Sequence, residues 1–552
     1  MKSLAWLWFH SKGFRLNAAV RVVLGFVRVL LGLLMVWLSK RFIDETIRTG
    51  SDSDVMQMAL LLMLTVLGAV VFRQIYIYIT TVVTNRFACK LRLQIFTRLF
   101  DRPLYEDDEI HSGDITSRLS KDIEMVSEVS METFPQMAVT TLQLIGAFLL
   151  MRWFDARLAW VLFLLTPVTV IFGKLISHKL KHMTLEIRKS ESCIQTQVQE
   201  GAEYNAVLRS LGSESWVTNR LDEEQNRLKS GVNRRARFTM ATRFLFGCTL
   251  GLGYLAAFIW GGIGLRNGLI TFGVMTSFLQ LVGQIQYPIF SLLNMGPKVV
   301  HAVASVERLE ELLDKRSENN LAQSESLNEG ERGLLGIRFE KVSFGYAGRN
   351  REILKNFTHD FRPGSKTAIM GETGNGKTTL FRLMLGFIKP DLGRILIYSE
   401  NPGDSDFVGE VKSLSINDRK NFVFVPQGNS LLSGTIRFNL QLAKPSATED
   451  EMWKALQMSC ADFVSDLPLG LDTELSERGG GLSEGQLQRL AIARGLLRPG
   501  KILLFDEISS ALDEDTEREL FRRLFAAKPD RTMIFVTHRG AVCEMCDDVI
   551  RI

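Results

Sequence analysis

"KTAIMGETGNGKTTLFRLMLG" occupies residues 366–386. The apolar "AIM" reads as the end of a buried strand, and "TTLFRLML" reads as a helix. Between them Gly371, Gly376, Lys377 and Thr378 satisfy G-x-x-x-x-G-K-[ST], in the strand–loop–helix setting that a phosphate-binding loop requires. The glycines, with Glu372, Thr373, Gly374 and Asn375 among them, let backbone N–H groups wrap a polyphosphate. Lys377 is placed to reach the β and γ oxygens of ATP. Thr378 offers a hydroxyl to Mg²⁺, with Thr379 beside it.

Downstream, "KILLFDE" (501–507) is an apolar strand ending in two carboxylates. Behind a phosphate loop such a pair has a chemical meaning. Asp506 is expected to hold Mg²⁺, and Glu507 to polarise the attacking water. "TMIFVTH" (532–538) is another buried strand, and its last residue, His538, is within reach of a γ-phosphate. "GGGLSEGQLQRLAIAR" (479–494) poses a question, because Ser483 and Gly485 open a second helix suited to an anion. One nucleotide domain has no obvious need of two phosphate-grasping helix ends. Upstream, "GIRFEKVSFGY" (336–346) is strand-like, and "DKRSENNLAQSESLNEGERG" (314–333) is polar and aperiodic, a linker.

The other half of the chain has a different character. Its 552 residues exceed one core, and the net charge of +5 gives no reason to expect nucleic acid as a partner. The 46% hydrophobic content is uneven, with long apolar runs confined to the first 300 or so residues. Six runs, at about 18–40, 56–79, 133–152, 157–177, 243–264 and 273–296, approach the ~20 residues that cross ~30 Å of hydrocarbon. The stretches 80–132 and 178–242 are long and rich in Lys and Arg, whereas 41–55, 153–156 and 265–272 are short. That asymmetry places the long loops and both termini in the cytoplasm. Trp37, Trp153, Trp160 and Trp260 then fall near the outer ends of spans. "MKSLAWLWFHSKGFR" shows no cleavable signal pattern and is expected to lie at the inner membrane face. The six cysteines read as reduced and structural; Cys543 and Cys546 form one C-x-x-C without a second ligand pair, which disfavours zinc.

Both long loops have helical periodicity, as in "NRFACKLRLQIFTRLF" and "ITSRLSKDIEMVSEV". They are expected to be helical hairpins reaching roughly 40 Å below the bilayer, with turns near "HSGDIT" (111–116) and "QEGAEYN" (199–205). Polar residues inside the spans are costly. Ser277, Gln280, Gln284, Tyr287 and Ser291 share one face of the sixth span, and Gln136, Thr140 and Gln143 one face of the third. Arg28 lies near the middle of the first. These residues are candidates for a substrate path, with interhelical hydrogen bonding as the rival reading for the glutamines. For Arg28, an anionic head group competes with snorkelling or an interhelical pair.

Together these motifs resemble the ATPase of the ABC transporters, and the chain as a whole resembles a half-size exporter of six-span type. The phosphate loop is "GETGNGKTT", and "FVFVPQGNSLLSGTIRFNL" places Gln427 after a strand. "LSEGQ" matches the family signature, "SALD" (510–513) follows the acidic pair, and His538 stands at the switch-histidine place. Tyr346 of "FGY" stands where the family stacks an aromatic on adenine. "ASVERLEELLD" (304–314) and "SGDITSRLSKD" (112–122) resemble the exporter pattern and its first coupling-helix region. The resemblance implies a multidomain membrane protein. An all-α six-helix transmembrane domain with long cytoplasmic extensions (1–313) is joined by a linker (314–335) to an α/β P-loop ATPase domain with a helical subdomain (336–552). It also implies ATP and Mg²⁺ as cofactors, with Gln427 contributing near the metal and to catalysis.

The resemblance answers the question of the second helix end. In the family two ATPase domains face head to tail, and Ser483, Gly485 and Gln486 would grasp the ATP held by the other copy's phosphate loop. A chain with one loop and one signature must therefore pair, most simply as a C₂ homodimer. ATP-driven closure would rearrange the long helices, and hydrolysis would reset them.

Two features depart from the family pattern. Glu484 replaces the usual second glycine of the signature, and the chain continues only fourteen residues beyond His538, with "DDVIRI" as a final strand. The leading reading is export of an amphipathic lipid, drug-like compound or peptide from a bacterial inner membrane. Import through the same fold, an ATP-gated regulator, and one half of a heterodimer are the alternatives. No Cys/His pair precedes the first span, which disfavours a leader-cleaving peptide exporter.

Overall fold

The computed structural model describes residues 2–100, 112–313, 333–346, 352–372, 374–400, 408–476 and 481–552. They form two compact units, a helical one ending near Asp314 and an α/β one after it.

In the helical unit, α1 (Lys2–His10) precedes α2 (Arg15–Arg41) and α3 (Asp52–Phe100). Next comes α4 (Gly113–Phe154), which carries π-helical turns at Arg118–Asp122 and Val129–Thr133. The unit is completed by α5 (Ala156–Glu203), α6 (Asn205–Ser210), α7 (Glu214–Arg266) and α8 (Phe272–Leu313). With 49 residues α3 is about 70 Å long, more than twice the ~30 Å of a hydrocarbon core. The helices therefore continue beyond any membrane they cross, as the loop periodicity predicts. Among the described residues, α4, α8, α3 and the stretch Arg15–Thr46 are long and apolar enough to span, four helices in all. The fourth and fifth expected spans lie on α5 and α7; the side chains of 161–178 are outside the described residues.

The two expected turns fare differently. Residues 101–111, which include the start of "HSGDIT", lie outside the described residues, and Ser112–Ser117 is helical. The second turn is displaced from 199–205. α5 runs on to Glu203, pauses at Tyr204 and is followed by α6, and the reversal is completed around Gly212 (φ +61°) before α7 begins. "QEGA" continues the helix because Glu200 accepts the Tyr204 N–H through its carbonyl, so the lone Gly201 is absorbed.

The core of this unit joins Val36, Ala147, Met151, Phe278, Leu281 and Ile285. Two carboxylates pin α8 at its ends. Asp44, just past α2, accepts from Thr271 Oγ1 (2.5 Å) and from the Gly273 N–H (2.8 Å), the latter an orphan donor of the first turn of α8. Asp122, only 7% exposed, accepts from Ser305 Oγ (2.8 Å) and Arg308 Nε (2.9 Å). A buried carboxylate needs this pairing.

The α/β unit contains two main sheets. β1 (Leu334–Phe344), β2 (Leu354–Phe361), β4 (Leu392–Glu400) and β5 (Val408–Ser413) form an antiparallel sheet in the order β2-β1-β4-β5. β3 (Lys366–Met370), β6 (Phe422–Val425), β7 (Ile502–Asp506), β8 (Thr532–Val536) and β9 (Asp548–Arg551) form a parallel sheet in the order β9-β3-β8-β7-β6. Every residue of β7 and β8 is buried, as expected for strands covered on both faces. α9 (Lys377–Met384), α10 (Ile436–Gln441), α11 (Glu449–Met458), α12 (Glu484–Leu497) and α13 (Glu514–Ala527) complete the unit. α10, α11 and α12 share a separate apolar core of Ile436, Leu440, Met452, Leu456 and Leu490, a helical subdomain beside the sheet. "DVIR" is the edge strand β9, parallel to β3.

Candidate active site

The parallel register sets the site. Val536 of β8 lies opposite both Asp506 and Ile369, so the ends of β3, β7 and β8 deliver the phosphate loop, the acidic pair and His538 to one edge. The loop enters α9 at Gly376, whose φ of +91° is a conformation that side chains resist. A Cβ there would also come within 2.5 Å of Ile353 Cγ2. Lys377 is buried, and its ammonium folds back onto its own loop, donating to the Gly371 carbonyl (2.6 Å).

Asp506 is 4% exposed and accepts from Thr378 Oγ1 at 3.3 Å. Burial pushes its carboxyl above the usual range, with Glu507 adding to the rise; Thr378 and Lys377 oppose it. A hydroxyl and a desolvated carboxylate side by side form a hard oxygen donor set, which suits Mg²⁺.

Glu507 adopts φ +49°, and its N–H donates to the Val536 carbonyl (3.0 Å). Such a strained backbone is retained where the surroundings demand it. Its carboxylate accepts from Gln427 Nε2 (2.7 Å) and lies 3.2 Å from His538 Nε2. The same ring nitrogen is 2.8 Å from Lys377 Nζ. Nε2 accepts from Lys377 when it bears no proton and donates to Glu507 when it bears one, and the two bonds exclude each other.

The structure brings Gln427, Glu507, His538, Lys377, Thr378 and Asp506 together. Gln427 is directed to Glu507 rather than to the Thr378–Asp506 pair. Tyr346 lies over α9, its hydroxyl 3.5 Å from Thr379 Oγ1 and accepting from Arg382 Nη1 (2.7 Å). Glu372, Gly374 and Asn375 are in the loop, and Asn375 Nδ2 donates to the Ile552 carbonyl (3.2 Å). Thr373 lies outside the described residues.

Ser483 is the N-cap of α12. Its Oγ accepts from the Gln486 N–H (3.3 Å), and the Gln486 side chain accepts from the Ser483 N–H (2.9 Å), a complete capping box. Gly485 is buried, and a Cβ there would stand 2.8 Å from the Ala511 carbonyl. Glu484 is exposed in the first turn, where a negative charge favours the helix dipole. Among the described residues, no hydrogen bond or ion pair links this helix end to the chain's own phosphate loop.

Two supporting residues escaped the motif reading. Gln488, 2% exposed, donates to the Glu507 carbonyl (3.0 Å) and so fixes the strained turn from behind. Arg539 donates to the Leu512 carbonyl (2.9 Å) and to Glu517 (3.1 Å), tying "SALD" to the His538 segment. The adjacency of Arg539 to His538, and Gln488 on the buried face of α12, were the only signals.

In the helical unit, Arg28 lies over the Tyr76 ring (5.9 Å). Tyr76 donates to Gln136 Oε1 (3.0 Å), and Gln136 Nε2 donates to Thr140 (3.3 Å). The α8 stripe divides. Ser277 is buried and bonds back to its own helix, while Gln284 donates to the Gly32 carbonyl (3.4 Å). Gln280 and Tyr287 are exposed, and Gln143 and Ser291 are half-buried.

Family profiles match both units: "ABC transporter transmembrane region" over residues 19–289 and "ABC transporter" over 354–510, together more than three quarters of the chain. The chain belongs to the ABC transporters. It is an ATP-binding ATPase fused to a membrane domain in the half-size exporter arrangement, and an integral membrane protein. Over 548 residues it is 25% identical to the ATP-dependent lipid A-core flippase of Pectobacterium atrosepticum, covering 99% of this chain and 92% of that one. It is 28% identical to a fatty acid ABC transporter ATP-binding/permease protein of Mycobacterium bovis, covering 84% of this chain and 71% of that one. Its fold matches that of a bacterial Atm1-family ABC exporter with ATP bound, with a TM-score of 0.79 at 24% identity over 98% of this chain and 94% of that one.

Proposed function

We propose that this transporter exports an amphipathic substrate, using ATP hydrolysed between two copies of the chain. The observation that carries the reading is the cluster at the ends of β3, β7 and β8, where a phosphate loop, a desolvated acid and the Glu507 carboxylate on its strained turn converge. In this reading Gly371–Gly376 and Lys377 hold the phosphates, Tyr346 stacks on the base, and Thr378 and Asp506 hold Mg²⁺. The metal, when bound, neutralises the developing phosphate charge. Glu507 accepts a proton from the attacking water, held in line by Gln427 and by the strained turn that Gln488 supports. When ATP draws Lys377 away from Gly371, His538 loses its lysine partner and turns its Nε2 to the γ-phosphate.

Ser483, Gly485 and Gln486 act on the nucleotide of the other copy. This fits their capping box, which is complete without any bond to their own loop. The substrate path runs past Arg28, Gln136, Thr140, Gln143, Gln280, Gln284 and Tyr287, with Ser277 as a helix-packing residue. The ATPase unit faces the cytoplasm of a bacterial inner membrane. Relatives named for lipid A core and fatty acids support an amphipathic cargo.

The test is ATP-dependent accumulation of labelled amphiphiles in inside-out vesicles. Uptake with wild type and none with Glu507→Gln is expected. Uptake that survives Glu507→Gln, or none with any amphiphile while ATP is hydrolysed, would contradict the reading.

A further inference from the structure

A basic groove runs along α7 just before the fifth expected span. Val232, Arg235, Ala236, Thr239, Met240 and Arg243 line a cavity of about 370 Å³ that opens outward. These positions recur every three or four residues and so form one stripe. Arg235 and Arg243 are separated by ~12 Å along the helix axis, with Thr239 midway. Arg243 is at the start of the fifth expected span, so the groove is at head-group level.

The charge around it is one-sided. From Gln225 to Val306 the sequence contains no Asp or Glu. The facing stretch of α5 contributes Lys179, whose ammonium lies 5.1 Å from the Phe238 ring centroid, and Glu186, which pairs with Arg234. Among the described residues, no carboxylate pairs with Arg235, Arg237 or Arg243. Toward the bilayer the same stripe continues through Gly247 and Gly251, where a Cβ would meet nothing within 4 Å among the described residues, to the exposed Tyr254 (50%) and Phe258 (48%). The two glycines leave room on this stripe between Arg243 and the aromatic rings.

We propose that this stripe binds an inner-leaflet lipid with an anionic head group. Arg235 and Arg243 clamp the head group with help from Thr239, and an acyl chain lies along Gly247 and Gly251. Two guanidiniums with no carboxylate partner among the described residues attract an anionic head group, and the glycines with the aromatic rings beyond them give an acyl chain a place to lie. The site deepens the proposed transport by giving the amphiphile a negative head, and as a loading site it rests on that reading.

The test is titration of the full chain with phosphatidylglycerol and with phosphatidylcholine, with the dissociation constant of the first bound lipid read by native mass spectrometry. Wild type should prefer phosphatidylglycerol. The pair Arg235→Gln and Arg243→Gln should weaken that lipid roughly 30-fold and leave phosphatidylcholine unchanged. The pair Arg235→Lys and Arg243→Lys should restore most of the affinity, which separates charge from folding. Gly251→Leu should weaken binding with both arginines intact. Equal affinity for the two lipids, or a Gln pair that binds like wild type, would overturn the proposal. ATPase assays on the same samples separate the two ideas. Selective binding without phosphatidylglycerol-stimulated hydrolysis supports the site and contradicts its role in loading.

Discussion

The strand Ile502–Asp506 and the helix Asp52–Phe100 are both rich in apolar residues, and they use them in opposite ways. Every residue of the strand is buried, and Leu504 is fully inaccessible. In the most apolar window of the helix only 6% of residues are buried, and Met63 and Leu64 are 59% and 56% exposed. The strand removes its side chains from water by packing on its own chain. The helix leaves that to lipid. Hydropathy alone reports that water is avoided, not what replaces it.

The sharpest break in the comparison is chemical. Glu507→Gln keeps the shape of the turn and removes the base. Hydrolysis should fall by ~10²–10⁴-fold while ATP binding persists, measured by turnover beside nucleotide titration. A rate within threefold of wild type, taken as roughly the scatter of such measurements, would remove Glu507 from the role.

Paired truncations then test the two kinds of burial. Leu504→Ala should cost about 2–5 kcal/mol in the ATPase unit, because a close-packed sheet cannot collapse onto the gap. Leu64→Ala should cost less than ~0.5 kcal/mol, since lipid refills the space. Thermal unfolding in nanodiscs reads both, and equal losses would mean that the face of α3 is not turned to lipid.

Motif chemistry was legible because it is local. Gly371–Thr378, Asp506, Glu507 and Ser483 carry their signals in spacings of a few residues, and the strands delivering them are short apolar runs. Gln488 and Arg539 were not legible, because their partners are the backbone of Glu507 and Leu512, and only the fold brings these close. The turn after α5 was misplaced for a related reason. A single Gly201 weakens a helix by only ~1 kcal/mol, less than the continuing bonds return. The polar stripe on α8 was visible as a period, but which of its members face α2 depends on a neighbouring helix.

Two smaller effects refine the site. Ser483→Ala removes the cap of α12 and should cost about 1 kcal/mol of stability in the ATPase unit. If Ser483 also contacts the other copy's nucleotide, hydrolysis should fall further than that loss explains. Asp506→Asn should abolish hydrolysis yet raise the thermal midpoint without nucleotide. Burial raises the Asp506 carboxyl, so its ionised form opposes folding at neutral pH. That penalty fades as pH falls through the raised value, and the advantage of the variant should shrink with it. A midpoint lowered at neutral pH would contradict the desolvation argument.

The most direct measurement is the ATPase activity of this chain, reconstituted alone in lipid nanodiscs, against lipids, amphipathic drugs and peptides, with Glu507→Gln as the blank. Hydrolysis above the blank that rises with an amphiphile is the predicted result, and it would establish a working pair of identical chains. No hydrolysis above the blank under any condition would contradict the account and require a different half-transporter to complete the site.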